Sequence, residues 1–323
     1  MRDRQRKAQG PTAWLVFPVV MTAGLLATDR SLAAGWSLVI VLAAVQLGAA
    51  LAIAILERVV PLHAEWNRAR GDIATDFGHA MVSGNLLPEL SKPALLTAGA
   101  ALAAWIASTT NITGPWPQYW NTWAQLALAL VVGEFGQYWV HRAEHEREFL
   151  WRFHSVHHSA QRLYWLNAGR FHPVDFMLLF VAWYLPLVAL GAGEQVIVLF
   201  AVFTAIHGMF QHANVRLRLG PLNWIFSMAE LHRWHHSTRV EEANSNYGAN
   251  LIVWDVLFGT RFLPSDREPP SRIGIEAMPG FPPGYLAQLL VPLRWRQVVA
   301  ESAGATAPPP DPDTGPGARE NNR

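Results

Sequence analysis

Residues 31–56 read SLAAGWSLVIVLAAVQLGAALAIAIL, a stretch that contains no charged side chain. The hydrocarbon core of a bilayer is about 30 Å thick, and a helix rises about 1.5 Å per residue, so about 20 apolar residues are enough to cross it. The stretch is therefore predicted to be a membrane-spanning helix.

Apolar stretches of comparable length occur on both sides of this one. Further spans are predicted at residues 12–28, 86–107, 122–140, 176–190 and 196–210. The last two are separated by little more than Gly191, Ala192, Gly193 and Glu194, which is typical of a tight helical hairpin. The chain is predicted to be all-α, a polytopic integral membrane protein with about four to six membrane helices.

The composition supports a membrane protein. Hydrophobic residues make up 51% of the chain and charged residues only 15%, whereas a soluble domain has about 25% charged residues. The 25 Lys and Arg nearly balance the 24 Asp and Glu, which gives no reason to expect nucleic acid as a partner. The chain contains no cysteine, which excludes disulfides, thiolate metal ligands and thiol nucleophiles.

The distribution of basic residues predicts the orientation. Residues 1–11 contain Arg2, Arg4, Arg6 and Lys7, and if they are cytoplasmic, Arg30 is the only basic residue in the connections on the opposite side. Positive residues are enriched in cytoplasmic loops. We therefore expect an integral membrane protein whose histidine-rich side faces the cytoplasm.

Histidines are concentrated in one part of the sequence. Of the 13 histidines, all but His63 and His79 lie between residues 141 and 236, in the motifs HRAEH, HSVHH, RFHP, HGMFQH and HRWHH. Residues four apart share one face of a helix, so histidines within one motif can share a metal ion. Each group flanks a predicted span, so all of them can meet at one membrane surface.

So many imidazoles at a membrane surface indicate metal binding. Neutral imidazole is a common ligand of iron, copper, zinc and nickel, and eight to ten histidines predict two metal ions, since one zinc takes about four ligands. The zinc-protease signature HExxH is absent, because Glu144 in HRAEH precedes the second histidine. Iron that activates O2 to attack an apolar substrate in the membrane is the favoured chemistry.

The sequence resembles the membrane-bound fatty acid hydroxylase/sterol desaturase superfamily. The resemblance covers roughly residues 122–263 and rests on EFGQYWVHRAEHEREFLWRFHSVHHSAQRLYWLNAGRFHPVDF, QHANVRLRLGPLNWIF, LHRWHHS and NSNYGANLIVWDVLFGT. It implies a cytosol-facing di-iron centre that uses O2 and two electrons from an external donor to hydroxylate or desaturate a lipid. The lipid could be a sterol, a fatty acyl chain or an ether lipid.

The resemblance also implies roles for individual residues. The metal ligands it implies are His141, His145, His154, His157, His158, His207, His212, His232, His235 and His236. Residues that could orient ligands or face the substrate are His172, Glu146, Asn214 and Asn246. It assigns no further catalytic side chain, because the chemistry would occur at the metals.

These observations predict five regions: a basic N-terminus (1–11), N-terminal membrane helices (12–121), the catalytic domain (122–263), a Pro/Gly-rich and interfacial segment (264–302) and a disordered tail (303–323).

Two alternative functions would use the same histidines. A metal transporter would place its ligands along a path through the membrane together with carboxylates, and a zinc hydrolase would need no O2. The position of the histidine motifs at one membrane face favours the oxygenase.

Overall fold

The computed structural model describes residues 12–304, so the predictions for residues 1–11 and for most of the tail lie outside the described residues. The regular elements of the described part are helices, accompanied by three isolated β-bridges. The helices are α1 (Thr12–Ala33), α2 (Leu38–Val59), α3 (Ile73–Met81), α4 (Leu87–Thr110), α5 (Thr122–Glu146), α6 (Glu148–His158), α7 (Pro173–Leu190), α8 (Glu194–His212), α9 (Ala229–His235), α10 (Val240–Ala243), α11 (Val253–Phe258), α12 (Tyr285–Leu289) and α13 (Trp295–Gly304).

Five helical segments in residues 12–304 are long and apolar enough to cross a membrane, which confirms the predicted fold class. They are Ala13–Ala33, Leu38–Val59, Ile73–Thr110, Pro173–Leu190 and Glu194–His212. The third begins well before the predicted residue 86, because a π-helical turn at Val82–Leu86 joins α3 to α4 without a break.

The sequence alone predicts that the uncharged stretch 31–56 is one helix, but in the structure this stretch is divided between two helices. Helix α1 continues to Ala33, and α2 begins at Leu38. Between them Gly35 has a φ of 78°, a left-handed conformation that glycine adopts without steric cost. This turn returns the chain into the membrane.

Helix α5, predicted as a span at residues 122–140, is not among the five apolar segments. It has the length to cross, but it carries Gln125, Glu134 and Gln137, all of which are buried. Its neighbours are protein, since a Cβ on Gly136 would lie 2.5 Å from the Ala182 carbonyl oxygen of α7. Polar side chains are tolerated there because other helices, and not lipid, surround them.

The helix ends lie in two layers. At one end, the Trp116 amide donates to the Leu190 carbonyl at 3.1 Å, and Gln195 at the start of α8 donates to Asp29 of α1 at 2.7 Å. At the opposite end, the Leu62 amide donates to the Asn214 carbonyl at 3.1 Å. The histidine-bearing ends of α5 and α8 belong to this second layer, so the histidine motifs share one side of the helix bundle.

Residues 264–304 form an extended strap with two short helices on the same side. Met278, Val291, Trp295 and Val298 make a small apolar cluster of their own, against which Trp151 of α6 packs. The strap is thereby fixed to the helix that carries the second histidine motif.

Candidate metal centre

The histidines converge because four helices end or turn at the same place. Helix α5 ends just after His145, α6 carries the HSVHH motif, α8 ends at His212, and the HRWHH motif occupies α9 and the residue that follows it. Within these motifs, spacings of three and four residues place the imidazoles on one face of each helix, as the sequence predicts.

Nine of the ten histidines expected as ligands form two groups. The five-histidine group consists of His141, His145, His154, His158 and His235, and the four-histidine group consists of His157, His212, His232 and His236. One ring nitrogen from each member lies within 4.8 Å of the corresponding atoms of the others in its group. Each group could hold one metal ion.

Distances between the ring nitrogens match those around a metal. In the four-histidine group, the Nε2 atom of His232 lies 3.0 Å from those of His212 and His236. In the five-histidine group, Nε2 of His154 lies 3.0 Å from that of His141 and 3.2 Å from that of His158. Two nitrogens bound at right angles to a metal about 2.1 Å away are themselves about 3.0 Å apart.

The opposite ring nitrogen, Nδ1, faces an oxygen in six of these histidines. Backbone carbonyls lie 2.6 Å from His141 (Tyr247), 3.2 Å from His157 (Arg170) and 2.7 Å from His235 (Ser245). Side-chain oxygens lie 2.9 Å from His212 (Asn167), 3.1 Å from His145 (Asn244) and 3.2 Å from His154 (Asp175). Since these oxygens accept hydrogen bonds, Nδ1 carries the proton and Nε2 presents a lone pair.

Converging lone pairs repel one another unless a cation lies between them. Consistent with a ligand role, Nε2 of His145 and of His235 is buried without a hydrogen-bond partner among residues 12–304. An oxygen on the far nitrogen is also the usual arrangement behind a metal-bound histidine, because it fixes the ring orientation. The donor set therefore fits two transition-metal ions.

Burial keeps these imidazoles in the neutral, metal-binding form. Burial lowers the pKa of His141 to about 4. The pKa of His154 is well below its usual value, because of burial and the neighbouring imidazoles. The same two causes lower the pKa of His232 and of His236. Neutral rings are what a metal requires, because a protonated imidazole has no free lone pair.

Aromatic side chains enclose the two groups. The Trp151 ring lies 5.2 Å from His145 and 5.3 Å from His158, between centroids. The Phe171 ring stacks on His157 at 4.2 Å, and Tyr247 contacts His141 at 5.8 Å. His145 alone among the nine is partly exposed. These rings exclude water from the histidines and limit access to the space between them.

Two buried carboxyl groups lie behind His154. Its Nδ1 is 3.2 Å from an Asp175 oxygen and 3.5 Å from a Glu144 oxygen. Burial raises the pKa of Glu144, and the neighbouring Asp175 raises it further. Glu144 therefore retains a proton more readily than an exposed glutamate. Asp175 accepts the hydrogen bond from His154 and orients that ring.

His207, the tenth histidine expected as a ligand, lies outside both groups. It is fully buried among aromatic rings, with Phe17 at 5.6 Å and Phe203 stacked at 5.5 Å between centroids. His207 lies more than one helical turn before His212 in α8, and therefore closer to the membrane interior. His212, at the end of the helix, belongs to the four-histidine group. The spacing of HGMFQH could not separate these two roles.

Four residues were expected to orient ligands or face the substrate. Among residues 12–304, none of them forms a hydrogen bond to a histidine ring of the two groups. His172 caps α7 by accepting from the Val174 amide at 3.1 Å, and exposed Glu146 pairs with Arg142 at 2.7 Å. Asn214 holds the loop after α2 through the backbone of His63. Asn246 has a φ of 54° and bonds both backbone groups of Phe262.

Other residues form hydrogen bonds to histidines of the two groups and were not singled out from the sequence. Asn167 receives the His212 hydrogen bond and is itself held by the Arg162 carbonyl at 2.7 Å. Asp175 is an acidic residue in the first turn of an apolar helix, and a carboxylate at such a position is a signal that the sequence offers. Asn167 and Asn244 are far from their partners in sequence, so no spacing rule points to them.

The fold and the site define a multi-pass membrane protein with a buried, histidine-rich centre at one end of its helix bundle. The family model for fatty acid hydroxylase matches residues 126–260. Ornithine lipid hydroxylase OlsE of Rhizobium tropici is 36% identical over 86% of this chain and 83% of its own length. The chain belongs to the fatty acid hydroxylase/sterol desaturase superfamily.

More distant relatives match a little less than half of the chain. Alkylglycerol monooxygenase of Xenopus tropicalis is 33% identical over 46% of this chain, which spans 32% of that protein. Methylsterol monooxygenase 1 of Rattus norvegicus is 28% identical over 46% of this chain and 52% of its own length. No solved structure matches the chain significantly.

Proposed function

We propose that the protein is a di-iron monooxygenase that hydroxylates a membrane lipid with O2 and two electrons from a separate donor. The observation that carries this proposal is the pair of imidazole groups at one end of an apolar helix bundle. The names of the relatives support the same chemistry, since they are lipid hydroxylases and monooxygenases.

The ligands we propose are the nine histidines of the two groups. Iron bound there would supply activation of O2, because imidazole ligands leave iron able to bind O2 and change its oxidation state. The protein would orient the ligands through oxygens on Nδ1, notably Asp175, Asn167 and the Tyr247 carbonyl. It would also exclude water through Trp151 and Phe171.

The orientation we propose places the centre on the cytoplasmic side. The basic residues of the sequence are concentrated on this side of the predicted topology, and cytoplasmic loops of membrane proteins are enriched in Lys and Arg. A soluble electron donor would reach the centre from the cytoplasm, whereas the lipid would reach it from the bilayer.

The test measures metal content and O2 consumption of the purified full chain. After anaerobic loading, we expect about two irons per chain. We also expect O2 uptake that depends on both a reductase system and added membrane lipid extract, with a hydroxylated product detected by mass spectrometry. The control variant is His63→Ala. This substitution should leave the iron content unchanged, because His63 lies outside both groups.

Two results would contradict the proposal. Lipid-independent O2 uptake would indicate that no lipid is oxidised. Stoichiometric zinc that iron reconstitution does not replace, with no O2 uptake under reducing conditions, would favour a hydrolase or a metal carrier.

A further inference from the structure

A cavity of about 450 Å³ lies on the same side of the molecule as the histidines and apart from them. It is lined by Arg152 of α6 and by residues 292–297, which lead into α13. Cavities of this size are in the range that holds small ligands. None of its lining residues belongs to the two histidine groups.

The cavity carries excess positive charge. Arg294 and Arg296 are exposed, and neither has an acidic partner within salt-bridge distance among residues 12–304. Arg152 pairs with Glu148 at 2.7 Å through one terminal nitrogen, and its Nε is buried without a partner. Three arginines thus line one cavity, and the carboxylate of Glu148 offsets the charge of one of them.

The start of a helix adds to this charge. Residues 295–297 line the cavity and are the first three residues of α13, which is 10 residues long. The first amides of a helix have no acceptor within the helix, and the helix dipole places partial positive charge there. Together with the arginines, they provide what a phosphate group requires.

The surroundings of the cavity are those of a membrane boundary. Leu293, which lines the cavity, is 84% exposed, and Leu286 of α12 is 73% exposed. The strap that carries them is tied to the beginnings of two membrane spans, because Thr75 donates to the Pro283 carbonyl at 2.9 Å and His172 donates to the Leu289 carbonyl at 3.2 Å. Exposed leucines beside arginines are typical of a segment at the lipid interface.

We propose that this cavity binds the phosphate of an anionic membrane lipid, with Arg152, Arg294 and Arg296 as its ligands and the exposed leucines against the acyl region. Two tryptophan rings connect the cavity to the five-histidine group. Its Trp295 belongs to the apolar cluster against which Trp151 packs, and Trp151 contacts His145 and His158. Trp295 and Trp151 would therefore separate a bound lipid from the five-histidine group.

Native mass spectrometry of the detergent-solubilised full chain tests the proposal with three probes: phosphatidylglycerol, phosphatidylcholine and inorganic phosphate. Each arginine near an anionic lipid contributes about five-fold in affinity. Because Glu148 offsets the charge of Arg152, the two remaining arginines should make phosphatidylglycerol bind about thirty-fold more tightly than phosphatidylcholine. We expect the double variant Arg294→Gln/Arg296→Gln to lose this preference. The corresponding double Lys variant should retain most of it.

Arg68→Gln is the matched control, because Arg68 is exposed at the same end of the bundle and does not line the cavity. Iron content reports whether each variant is folded, independently of lipid binding. The proposal is overturned if the two lipids bind equally, or if the Gln double variant keeps the preference. Equal affinity for inorganic phosphate and phosphatidylglycerol would show a free-phosphate site and overturn the lipid assignment.

Discussion

The two histidine groups differ in how deeply they are buried. In the four-histidine group every member is buried, and His212 is oriented by Asn167, a buried side chain that is itself fixed by the Arg162 carbonyl. In the five-histidine group His145 is partly exposed and is oriented by Asn244, which is exposed. The first group is part of the protein core, whereas the second lies at its edge.

This difference suggests a division of labour. The four-histidine group is enclosed by protein, although Nδ1 of His232 and of His236 is buried without a hydrogen-bond partner among residues 12–304. A site at the edge, covered by Trp151 and adjoining the strap, is the one that partners can reach. The following experiments therefore change matched residues in the two groups and measure whether each group holds its own metal.

Removal of one central ligand from each group should have the largest effect. His154→Ala and His236→Ala are matched, because the Nε2 atom of each histidine lies within hydrogen-bond distance of the Nε2 atoms of two other histidines in its own group. We expect each variant to lose about one of two irons, and hydroxylation to fall more than about 100-fold. Metal analysis and product formation measure both. Loss of both irons in each variant would show a single cooperative site.

Removal of an orienting side chain should have the next largest effect. Asp175→Ala acts behind the five-histidine group and Asn167→Ala behind the four-histidine group. Such partners typically contribute 10–100-fold in metal affinity. We expect each variant to weaken only the iron of its own group by about that factor, measured by competition with a chelator. An unchanged affinity in both variants would mean that these oxygens do not orient ligands.

The pH dependence should reflect the buried neutral imidazoles. In the metal-free protein the pKa of His141 is lowered to about 4, whereas in the unfolded chain a histidine has a pKa of about 6.5. The unfolded state therefore takes up protons first, and stability is lost as the pH falls from about 6.5 towards 4. Bound iron should move this loss to lower pH. Thermal unfolding of iron-free and iron-loaded protein between pH 7.5 and 4 measures the shift, and identical profiles would contradict it.

Substitution of His207 should have the smallest effect. Its ring lies among Phe17 and Phe203, outside both groups, so His207→Phe replaces one aromatic ring by another of similar volume. We expect both irons to be retained and their affinity to change by less than about two-fold, as measured by the same chelator competition. Loss of one iron would restore His207 to the ligands that the sequence predicts.

The sequence was sufficient to predict five of the spans and the convergence of the histidine motifs. Hydropathy identifies apolar helices because the bilayer requires them, and the spacing within HSVHH and HRWHH follows from the helical repeat. The burial of the polar residues of α5 could not be predicted. Glu134 is surrounded by neighbouring helices, and the sequence does not give their positions.

The division of the histidines into two groups could not be read from the motifs. Adjacent residues His157 and His158 belong to different groups, and His235 and His236 are likewise divided. Neighbouring residues on a helix point about 100° apart, so each such pair serves two sites. Which residue joins which group depends on the packing of α6 against α9, and this is a property of the tertiary structure.

Anomalous diffraction at the iron edge, from crystals of the iron-loaded full chain, tests the central claim most directly. We predict two peaks, one among the Nε2 atoms of His141, His154 and their group, and the other among those of His157, His232 and theirs. A single peak would contradict the account. A peak between Glu144, His154 and Asp175, where a buried carboxylate site could also hold a metal, would contradict the assignment of these carboxylates as groups that orient the ligands.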